Sequence, residues 1–369
     1  MRIAYLSTAV LPSRLANSVH VMKMCRALAG EGHQVLLLAP DRPGTERGVD
    51  DVHGFYGVER SFEIEKCAWP AFPGKSYLCA YRMARRARRF GADLVYGRFL
   101  HGCYLAARSG LPVVYETHAP GTGAGPVARR MHVGLLRSPR LSHVVVISEA
   151  LRRMHLAEGL IAPGRVVVAH DAADPMPADS VPEPIAGDGL RIGYVGHLYA
   201  GRGVELILHL AASCPWAHFH LVGGTDADVA EWRARSSGRT NLTFHGFLPP
   251  NRLDAYRLAL DVLLAPYERT VTIQGEGDTS RWMSPLKIFE YMAAGKAIVC
   301  SDLPVLHEVL THERTALLCD PDEPEAWVGA LERLHREPDL RAALGARARV
   351  EFEAEHTWAA RARRVLHCG

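Results

Sequence analysis

The sequence predicts an α/β protein of two domains, each built on a parallel β-sheet with helices on both faces. Short apolar runs alternate with helical patterns from the first residues onward, which is typical of parallel sheets. A proline-rich segment then separates this series from a second series of the same kind. With 369 residues, the chain is long enough for two domains of roughly 150–200 residues.

The first series predicts a domain at 1–175. Helical patterns such as SYLCAYRMARRARRFG (76–91) lie between apolar runs that are bounded by turn residues. The runs that predict strands are RIAYLS (2–7), QVLLLAP (34–40), DLVYGR (93–98), PVVYETH (112–118) and HVVVISE (143–149).

A linker and a second domain follow. Residues 174–189 contain four prolines and two glycines, and we place the linker at 176–189. The second domain is predicted at 190–354, with a helix from about Val204, and 355–369 is expected to form a helix that packs back on the first domain. The second set of predicted strands is LRIGYVGHL (190–198), HFHLVGG (218–224), LTFHGFL (242–248), VLLAP (262–266), KAIVCSD (296–302) and ALLCD (316–320).

Composition excludes several classes of protein. The net charge of +3, from 43 basic and 40 acidic residues, does not indicate nucleic-acid binding. The eight cysteines form no C-x-x-C pair, which indicates buried, reduced thiols and a cytoplasmic environment. The N-terminus lacks a signal-peptide pattern, and no apolar stretch approaches the roughly 20 residues of a membrane span.

Cofactor and metal motifs are also missing. Neither domain has a G-x-G-x-x-G fingerprint after its first strand, which disfavours a nicotinamide or flavin enzyme. Asp226 and Asp228 resemble a metal-binding Asp-x-Asp motif, but they open a polar helix, so N-capping explains them better. His218 and His220 alternate within a strand. No cluster has the spacing of a metal site, and we expect none.

Two cations follow strand ends in the second domain, where ligands of parallel sheets bind. Arg202 lies between two glycines before a helix, and Lys287 falls in the first turn of a helix with Ser284 as its expected cap and Pro285 as its first residue. A cation there opposes the helix dipole by about 0.3–1 kcal/mol, whereas free N–H groups favour an anion. The pair predicts a diphosphate site; the alternative is two solvated surface charges.

Two further side chains occupy suitable positions. Glu290 lies one turn beyond Lys287, so its carboxylate either accepts hydrogen bonds from the vicinal hydroxyls of a ribose or pairs with the lysine. His118 follows a predicted strand end of the first domain, before the glycine-rich PGTGAGP. A sugar nucleotide satisfies Arg202, Lys287 and Glu290 together.

On these residues the chain resembles the family-4 retaining glycosyltransferases of the GT-B fold, or group 1 glycosyltransferases. SPLKIFEYMAAGKAIVCSDLPVLHEVL (284–310) is similar to the donor-binding signature of that family, YVGHLYAGRG (194–203) to a second motif, and YETHAP (115–120) to the segment with its first-domain histidine. The resemblance covers nearly the whole chain. It implies two Rossmann-like domains that face each other across a cleft.

The resemblance implies a role for each matched residue. Arg202 and Lys287 hold the donor diphosphate and stabilise it as a leaving group, while Glu290 binds the ribose. His118 contacts the transferred sugar. The other implied site residues are Gly196, His197, Phe247, Leu248, Ser284, Pro285 and Leu286 on the donor side, with Phe247 and Leu248 near the base, and Asn17, Ser18 and His20 in a loop on the acceptor side.

The sequence departs from the family pattern at three places. Trp282 stands where the family often has a glutamate that contacts the donor sugar, and Glu276 and Asp278 are the candidates to replace it. His197 stands where an arginine is common, which weakens one phosphate contact or makes it pH-dependent. The residues ANS (16–18) replace the glycine pair of the first loop.

The expected activity is therefore transfer of a sugar, with retention of configuration, from a nucleoside-diphosphate sugar to a hydroxyl of a polysaccharide, lipid-linked or natural-product acceptor. No cofactor and no metal are expected, because Arg202 and Lys287 supply the charge. The alternatives are a non-hydrolysing sugar-nucleotide epimerase and a non-catalytic subunit that binds nucleotide sugars.

A separate feature concerns the surface of the predicted helix at 76–91. Four arginines recur at helical spacing on one face, close after the aromatic residues Trp69 and Phe72. Such a face fits either peripheral contact with the inner surface of a membrane or a solvated helix. The four are Arg82, Arg85, Arg86 and Arg89.

Overall fold

The computed structural model describes residues 1–121, 125–273 and 277–367. The chain divides into two compact units, the first formed by Met1–Asp171 and the chain from Trp358 onward, the second by Ala172–Thr357. The first unit thus ends at Asp171 instead of 175, and the expected linker, 176–189, lies within the second unit. A backbone hydrogen bond from Glu183 N to Ala255 O, at 2.9 Å, ties the proline-rich segment to this unit.

The first unit is built on a parallel sheet. Its strands are β1 (Arg2–Leu6), β2 (Gln34–Asp41), β3 (Glu63–Ala68), β4 (Leu94–Gly97), β5 (Val113–Thr117), β6 (Leu141–Val146) and β7 (Val166–Val168). Its helices up to this point are α1 (Ala16–Gly30), α2 (Val52–Phe55), α3 (Lys75–Phe90), α4 (Leu100–Arg108), α5 (Pro126–Leu136) and α6 (Glu149–Ala157). The strand order is β3-β2-β1-β4-β5-β6-β7, and all neighbours are parallel. The central strands are mostly apolar because both faces of the sheet are buried.

The second unit repeats this plan. Its main strands are β8 (Leu190–Val195), β9 (Ala217–Val222), β10 (Leu242–Gly246) and β11 (Val262–Ala265), then, after a short antiparallel pair β12 (Thr272–Ile273) and β13 (Gly277–Asp278), β14 (Ala297–Ser301) and β15 (Leu317–Cys319). The parallel order is β10-β9-β8-β11-β14-β15. Its helices are α7 (Val204–Ser213), α8 (Asp226–Arg235), α9 (Leu253–Ala259), α10 (Leu286–Ala294), α11 (Pro324–Arg336) and α12 (Pro338–Glu355).

The last helix, α13 (Trp358–His367), belongs to the first unit, as the sequence predicts. It packs against α1, where Arg363 pairs with Glu31 at 2.8 Å. It begins at Trp358, close to the expected start at about 355, because α12 continues to Glu355. One buried side chain of α13, Arg361, reaches the centre of the first unit, where it becomes part of the site described below.

Three further sequence predictions concern the cysteines, a membrane span and one acidic motif. The seven cysteines in the described ranges are buried free thiols. Across the same ranges, no helix is both long and apolar enough to cross a bilayer. The motif at Asp226 and Asp228 is explained by capping, as predicted, since Thr225 and Asp228 form a capping box at the start of α8.

Candidate active site

Each sheet reverses its strand order near its centre, where β1 lies between β2 and β4 and β8 lies between β9 and β11. Ligands of open parallel sheets bind beyond the carboxyl ends of the strands at such a point. In the second unit, β8 leads through Gly196 to the loop with Arg202, and β11 leads through Tyr267 to the loop before α10 and Lys287. The fold therefore places both cations predicted from the sequence at one switch point.

Two glycines make this arrangement sterically possible. A Cβ atom at Gly196 would lie 2.8 Å from Lys287 Nζ, so the lysine approaches the backbone here because there is no side chain. Gly203 has a left-handed φ of +70° before α7, and a Cβ atom there would lie 1.9 Å from Pro266 O. This contact brings the loop of Arg202 against the loop that follows β11.

Lys287 lies over aromatic rings. Its Nζ is 3.8 Å from the ring centre of Tyr194 and 5.2 Å from that of Tyr267, both distances within the range of cation–π contacts. In the described ranges, no carboxylate forms an ion pair with Lys287. Burial, and then the charge of Arg202, lower the pKa of Lys287 well below its usual value. The folded protein thus holds this cation in an unfavourable environment that an anion would relieve.

The helix that carries Lys287 begins one residue later than predicted. Helix α10 starts at Leu286, and Pro285 is the flanking residue, with an extended ψ of 122°. The assignment of Ser284 as the cap is therefore wrong, since Pro285 occupies the cap position and Ser284 lies one residue before it. Lys287 and Leu286 remain in the first turn, where backbone N–H groups are available to an anion.

Arg202 shares an aromatic neighbour with Lys287. Its guanidinium carbon is 5.6 Å from the ring centre of Tyr267 and 5.0 Å from that of Tyr199, and it donates to the Tyr199 hydroxyl at 2.9 Å. Its Nε is buried and has no hydrogen-bond partner among the described residues. The positive charges of Arg202 and Lys287 therefore both lie over the ring of Tyr267. Of the two, Arg202 has an N–H group that makes no hydrogen bond within the described residues.

Glu290 does not pair with Lys287, as the alternative interpretation supposed. Its Oε2 accepts a hydrogen bond from Arg257 at 2.6 Å, and the buried Arg257 also donates to Asp254 at 2.7 Å. Arg257, which sequence reasoning missed, holds the Glu290 carboxylate in place. The carboxylate stays partly exposed on the helix that carries Lys287, as a ribose contact requires.

Three other predicted donor-side residues lie just past the ends of strands in the same unit. His197 follows Gly196, and burial together with the charges of Arg202 and Lys287 lowers its pKa. Phe247 and Leu248 directly follow β10, and both are half-buried. Their expected contact with a base stays a prediction.

Of the two candidates to replace the glutamate missing at position 282, Asp278 is the one within the described residues. Asp278 accepts hydrogen bonds from the backbone N–H groups of Val271 and Ser280, both at 3.0 Å, so its carboxylate organises the loop. Glu276 lies outside the described residues. Trp282 itself is half-buried.

In the first unit, His118 lies just past the end of β5. Its Nε2 donates to Glu116 Oε1 at 2.5 Å, which leaves Nδ1 as the acceptor nitrogen of the ring. Burial and the charge of Arg98 lower the pKa of His118 to about 4, against the opposing effect of Glu116. The ring is therefore neutral at neutral pH, and it can hydrogen-bond to a sugar without adding a charge.

Glu116 is fully buried, yet it is ionised. Burial by itself raises its pKa, but the guanidinium of Arg361 and then His20 hold the pKa well below the usual value. Arg361 donates to both carboxylate oxygens, at 3.0 and 3.3 Å, and the Tyr96 hydroxyl donates to one of them. Glu116, Tyr96 and Arg361 form a support for His118 that no local motif predicts.

The three residues predicted on the acceptor side lie in α1 and not in a loop. His20 is buried, with Nδ1 2.7 Å from Asp171 and Nε2 2.9 Å from Glu116, so it belongs to the network behind His118. Ser18 is also buried, and its hydroxyl donates to Val10 O at 2.8 Å. Asn17 fits the prediction best, because its Oδ1 has no hydrogen-bond partner among the described residues.

One of the four arginines predicted on one face of α3 pairs with an acidic residue. Arg86 donates to Glu65 at 2.7 Å, so its charge is compensated. Arg82, Arg85 and Arg89 are exposed.

Both the sequence and the fold are similar to those of known proteins. A model described as Glycosyltransferase Family 4 matches residues 18–176, and a model described as Glycosyl transferases group 1 matches residues 189–337. The first covers the region of His118, and the second covers Arg202, Lys287 and Glu290.

Curated relatives match nearly the full length. The chain is 26% identical to a GDP-mannose-dependent alpha-mannosyltransferase of Mycobacterium tuberculosis, over 93% of the chain and 88% of the relative. It is 23% identical to a D-inositol 3-phosphate glycosyltransferase of Jonesia denitrificans, over 92% of the chain and 88% of the relative.

Solved structures agree with the predicted fold class. Anabaena HepE in complex with UDP matches with a TM-score of 0.73 and 14% identity, over 99% of this chain and 98% of that chain. Sucrose-phosphate synthase from Thermosynechococcus elongatus matches with a TM-score of 0.71 and 18% identity, over 98% and 96%. These likenesses show the GT-B fold, and at such identities they show the fold alone.

Proposed function

Because the chain belongs to the group 1 glycosyltransferases, we propose that it moves a sugar from a nucleoside-diphosphate sugar to a hydroxyl acceptor with retention of anomeric configuration. The single observation that carries this proposal is the pair Arg202 and Lys287, which converge on Tyr267. Two cations without a compensating carboxylate in the described residues suit the diphosphate of such a donor.

The chemistry follows from where charge develops. As the bond between the sugar and the diphosphate breaks, negative charge accumulates on the leaving phosphate. Lys287, Arg202 and the N-terminal N–H groups of α10 are fixed before that charge appears, so their interaction strengthens towards the transition state. We propose that these groups supply the charge stabilisation and that transfer requires no metal.

The remaining residues position the substrates. Glu290, held by Arg257, accepts hydrogen bonds from the ribose hydroxyls. His118, neutral and oriented by Glu116, contacts the transferred sugar. Asn17 offers a buried acceptor oxygen to a hydroxyl of the acceptor. Acceptors of the polysaccharide, lipid-linked and natural-product classes all present the required hydroxyl.

GDP-mannose is the first donor to test, since the relative that matches 93% of the chain is named as dependent on it. UDP-glucose is the second, since UDP occupies one structurally similar protein. A thermal-shift panel of GDP, UDP and their sugars in the presence of EDTA measures binding, because a ligand of the native state alone raises the melting temperature. We expect one base to stabilise the protein without added metal.

Activity then tests the reaction. With the selected donor and a panel of hydroxyl acceptors, we expect release of the nucleoside diphosphate and a product that keeps the anomeric configuration, seen by NMR. Release that depends strictly on a divalent metal contradicts the assigned charge stabilisation. An epimerised nucleotide sugar, formed from the donor alone, supports the epimerase instead, and binding without transfer or hydrolysis supports a non-catalytic subunit.

A further inference from the structure

A second group of side chains in the first unit has no role in the proposed transfer. His132 lies in α5, His155 lies in the last turn of α6, and Glu158 directly follows that helix. One ligand atom from each of the three comes within 4.8 Å of the others. His155 and Glu158 are three residues apart, which places them on the same side of the helix end.

The atoms that face each other in this group have unused hydrogen-bonding capacity. His132 is 3% exposed, and its Nε2 has no hydrogen-bond partner among the described residues. Glu158 Oε1 is likewise buried and without a partner there. The closest approach of His132 Nε2 to the Glu158 carboxylate is 4.0 Å, which is too long for a hydrogen bond. Buried polar atoms of this kind call for an additional partner.

The hydrogen bond of His155 fixes its tautomer. Its Nε2 lies 3.2 Å from Ala119 O, and because a carbonyl oxygen only accepts, Nε2 carries the proton. The lone pair is then on Nδ1, which lies 4.0 Å from Glu158 Oε1. A histidine that donates one N–H to a backbone carbonyl and presents its other nitrogen is the usual arrangement of a metal ligand.

A glycine leaves space beside these atoms. A Cβ atom at Gly121 would lie 2.7 Å from His132 Nε2 and 3.0 Å from Glu158 Oε1. The volume that a side chain would take is thus next to two atoms without partners, and it suits a small ion.

We propose that His132 Nε2, His155 Nδ1 and a Glu158 oxygen bind a divalent transition-metal ion, with zinc as the best fit. Two imidazoles and one carboxylate form a known zinc ligand set that leaves a fourth position open. Tetrahedral ligand atoms at about 2.1 Å from zinc are about 3.4 Å apart, so the three side chains need to move inward by less than about 1 Å. The ion would connect α5 and α6 to the segment Ala119–Gly121, which follows His118.

The ion is proposed to stabilise the fold and not to take part in transfer. The other group of similar composition, His20, Glu116 and His118, differs in that Arg361 already supplies a cation to its carboxylate. A metal there would meet a positive charge, whereas no arginine or lysine pairs with Glu158 among the described residues.

Zinc binding to the chelator-treated full chain tests the proposal. Competition with a chromogenic chelator should show one zinc ion per chain, and zinc at about 100 times its Kd should raise Tm by about 5–10 °C. Cobalt in its place should give the visible absorption of a tetrahedral nitrogen and oxygen site without a thiolate charge-transfer band, which separates this site from binding by cysteines.

Variants identify the site. Glu158→Gln and His132→Gln should each raise the Kd at least about tenfold. Gly121→Ala should do the same, because its Cβ atom fills the gap. Gly125→Ala, at the residue before α5, is the control, because no atom lies within 4 Å of its new Cβ, and it should bind as the wild type does.

The proposal is overturned if the wild type binds no stoichiometric zinc, or if Glu158→Gln and Gly121→Ala bind it with unchanged affinity. The metal-free Tm of each variant is measured alongside, so that loss of binding by a folded protein is distinguished from loss of the fold. If a variant is unfolded, the remaining two decide.

Discussion

The two units treat buried charge in opposite ways. Around His118, the Glu116 carboxylate is matched by Arg361, by His20 and by the Tyr96 hydroxyl. Around Lys287, two like charges lie on aromatic rings and no carboxylate pairs with them in the described residues. The first arrangement is complete without a ligand, so it holds a side chain in position. The second is incomplete, so it is the one that suits a charged ligand.

The difference predicts opposite effects of removing a cation. Arg361→Ala leaves the ionised Glu116 buried without its main partner, and we expect the free energy of unfolding to fall by about 3–5 kcal/mol. Urea denaturation measures this change. Arg363→Ala is the matched control: it lies two residues later on α13, its side chain is 53% exposed, and its pair with Glu31 contributes at most about 1 kcal/mol.

If the two variants lose equal stability, the network of Glu116 with Arg361, His20 and Tyr96 does not stabilise the first unit more than a surface ion pair does. Should Arg361→Ala fail to fold, Arg361→Lys retains the charge and is expected to show a smaller loss.

On the donor side, removing the cation should affect activity and leave stability intact. Lys287→Ala is expected to lower kcat/KM by about 10²–10³-fold, because one fixed donor to the leaving diphosphate is lost. The free energy of unfolding should stay the same or rise, since the pKa of Lys287 is lowered by burial and by Arg202.

Lys296→Ala at the other end of α10 is the control, because it removes a half-buried lysine that is not assigned to the donor. Near-normal turnover of Lys287→Ala would contradict the donor site. A large loss of stability would show that its charge is compensated after all.

Acid should destabilise the first unit through protonation of His118. Its pKa is about 4 in the folded protein and about 6.5 in an unfolded chain. Between these pH values the unfolded chain binds more protons, so the free energy of unfolding falls as pH is lowered, by up to about 3 kcal/mol from this residue. Denaturation of the wild type and of His118→Gln over this range measures the contribution.

We expect the wild type to lose more stability than His118→Gln between neutral pH and about pH 4.5. Parallel curves for the two proteins would mean that the ring is not held neutral by its surroundings. The lowered pKa of Glu116 acts at still lower pH, where protonation of the carboxylate removes its interaction with Arg361.

Glu290→Gln should have a smaller effect than Lys287→Ala. A neutral amide makes weaker hydrogen bonds with ribose hydroxyls, and we expect the KM for the nucleotide sugar to rise about tenfold or more while kcat changes less. Asp254→Asn is the control, because it alters the other partner of Arg257 and keeps the bond from Arg257 to Glu290. Equal effects in steady-state kinetics would assign Glu290 to structure alone.

The smallest effect concerns the arginine face of α3. The double variant Arg85→Glu and Arg89→Glu should reduce binding to anionic vesicles, with each arginine contributing about 1 kcal/mol near the surface. The double variant Arg129→Glu and Arg130→Glu is the control, because these two arginines are exposed on α5 and the net charge changes by the same amount. Vesicle flotation is the measurement. If the wild type does not bind vesicles, the membrane interpretation is wrong and the face is solvated.

Local sequence predicted the structure correctly where a single strand or turn determines it. The apolar runs predicted the central strands because buried parallel strands are apolar on both faces. The two edge strands of the first sheet were missed, whereas the edge strands β10 and β15 of the second sheet were predicted. Strand β3 has the sequence EIEKCA, in which only Cys67 is buried, because an edge is partly solvated and its side chains need not be apolar. Strand β7 is apolar but has only three residues.

The sequence by itself determined the two-domain α/β plan, the family, and the placement of Arg202, Lys287 and Glu290 near helix starts, since each depends on residues that are neighbours in the chain. Tertiary structure alone decided what surrounds them. Glu116 meets Arg361 across 245 positions, and Glu290 meets Arg257 across 33. Such pairs depend on strand order and helix packing. Which charges are compensated, and which await a ligand, is therefore settled only when the sheets are assembled.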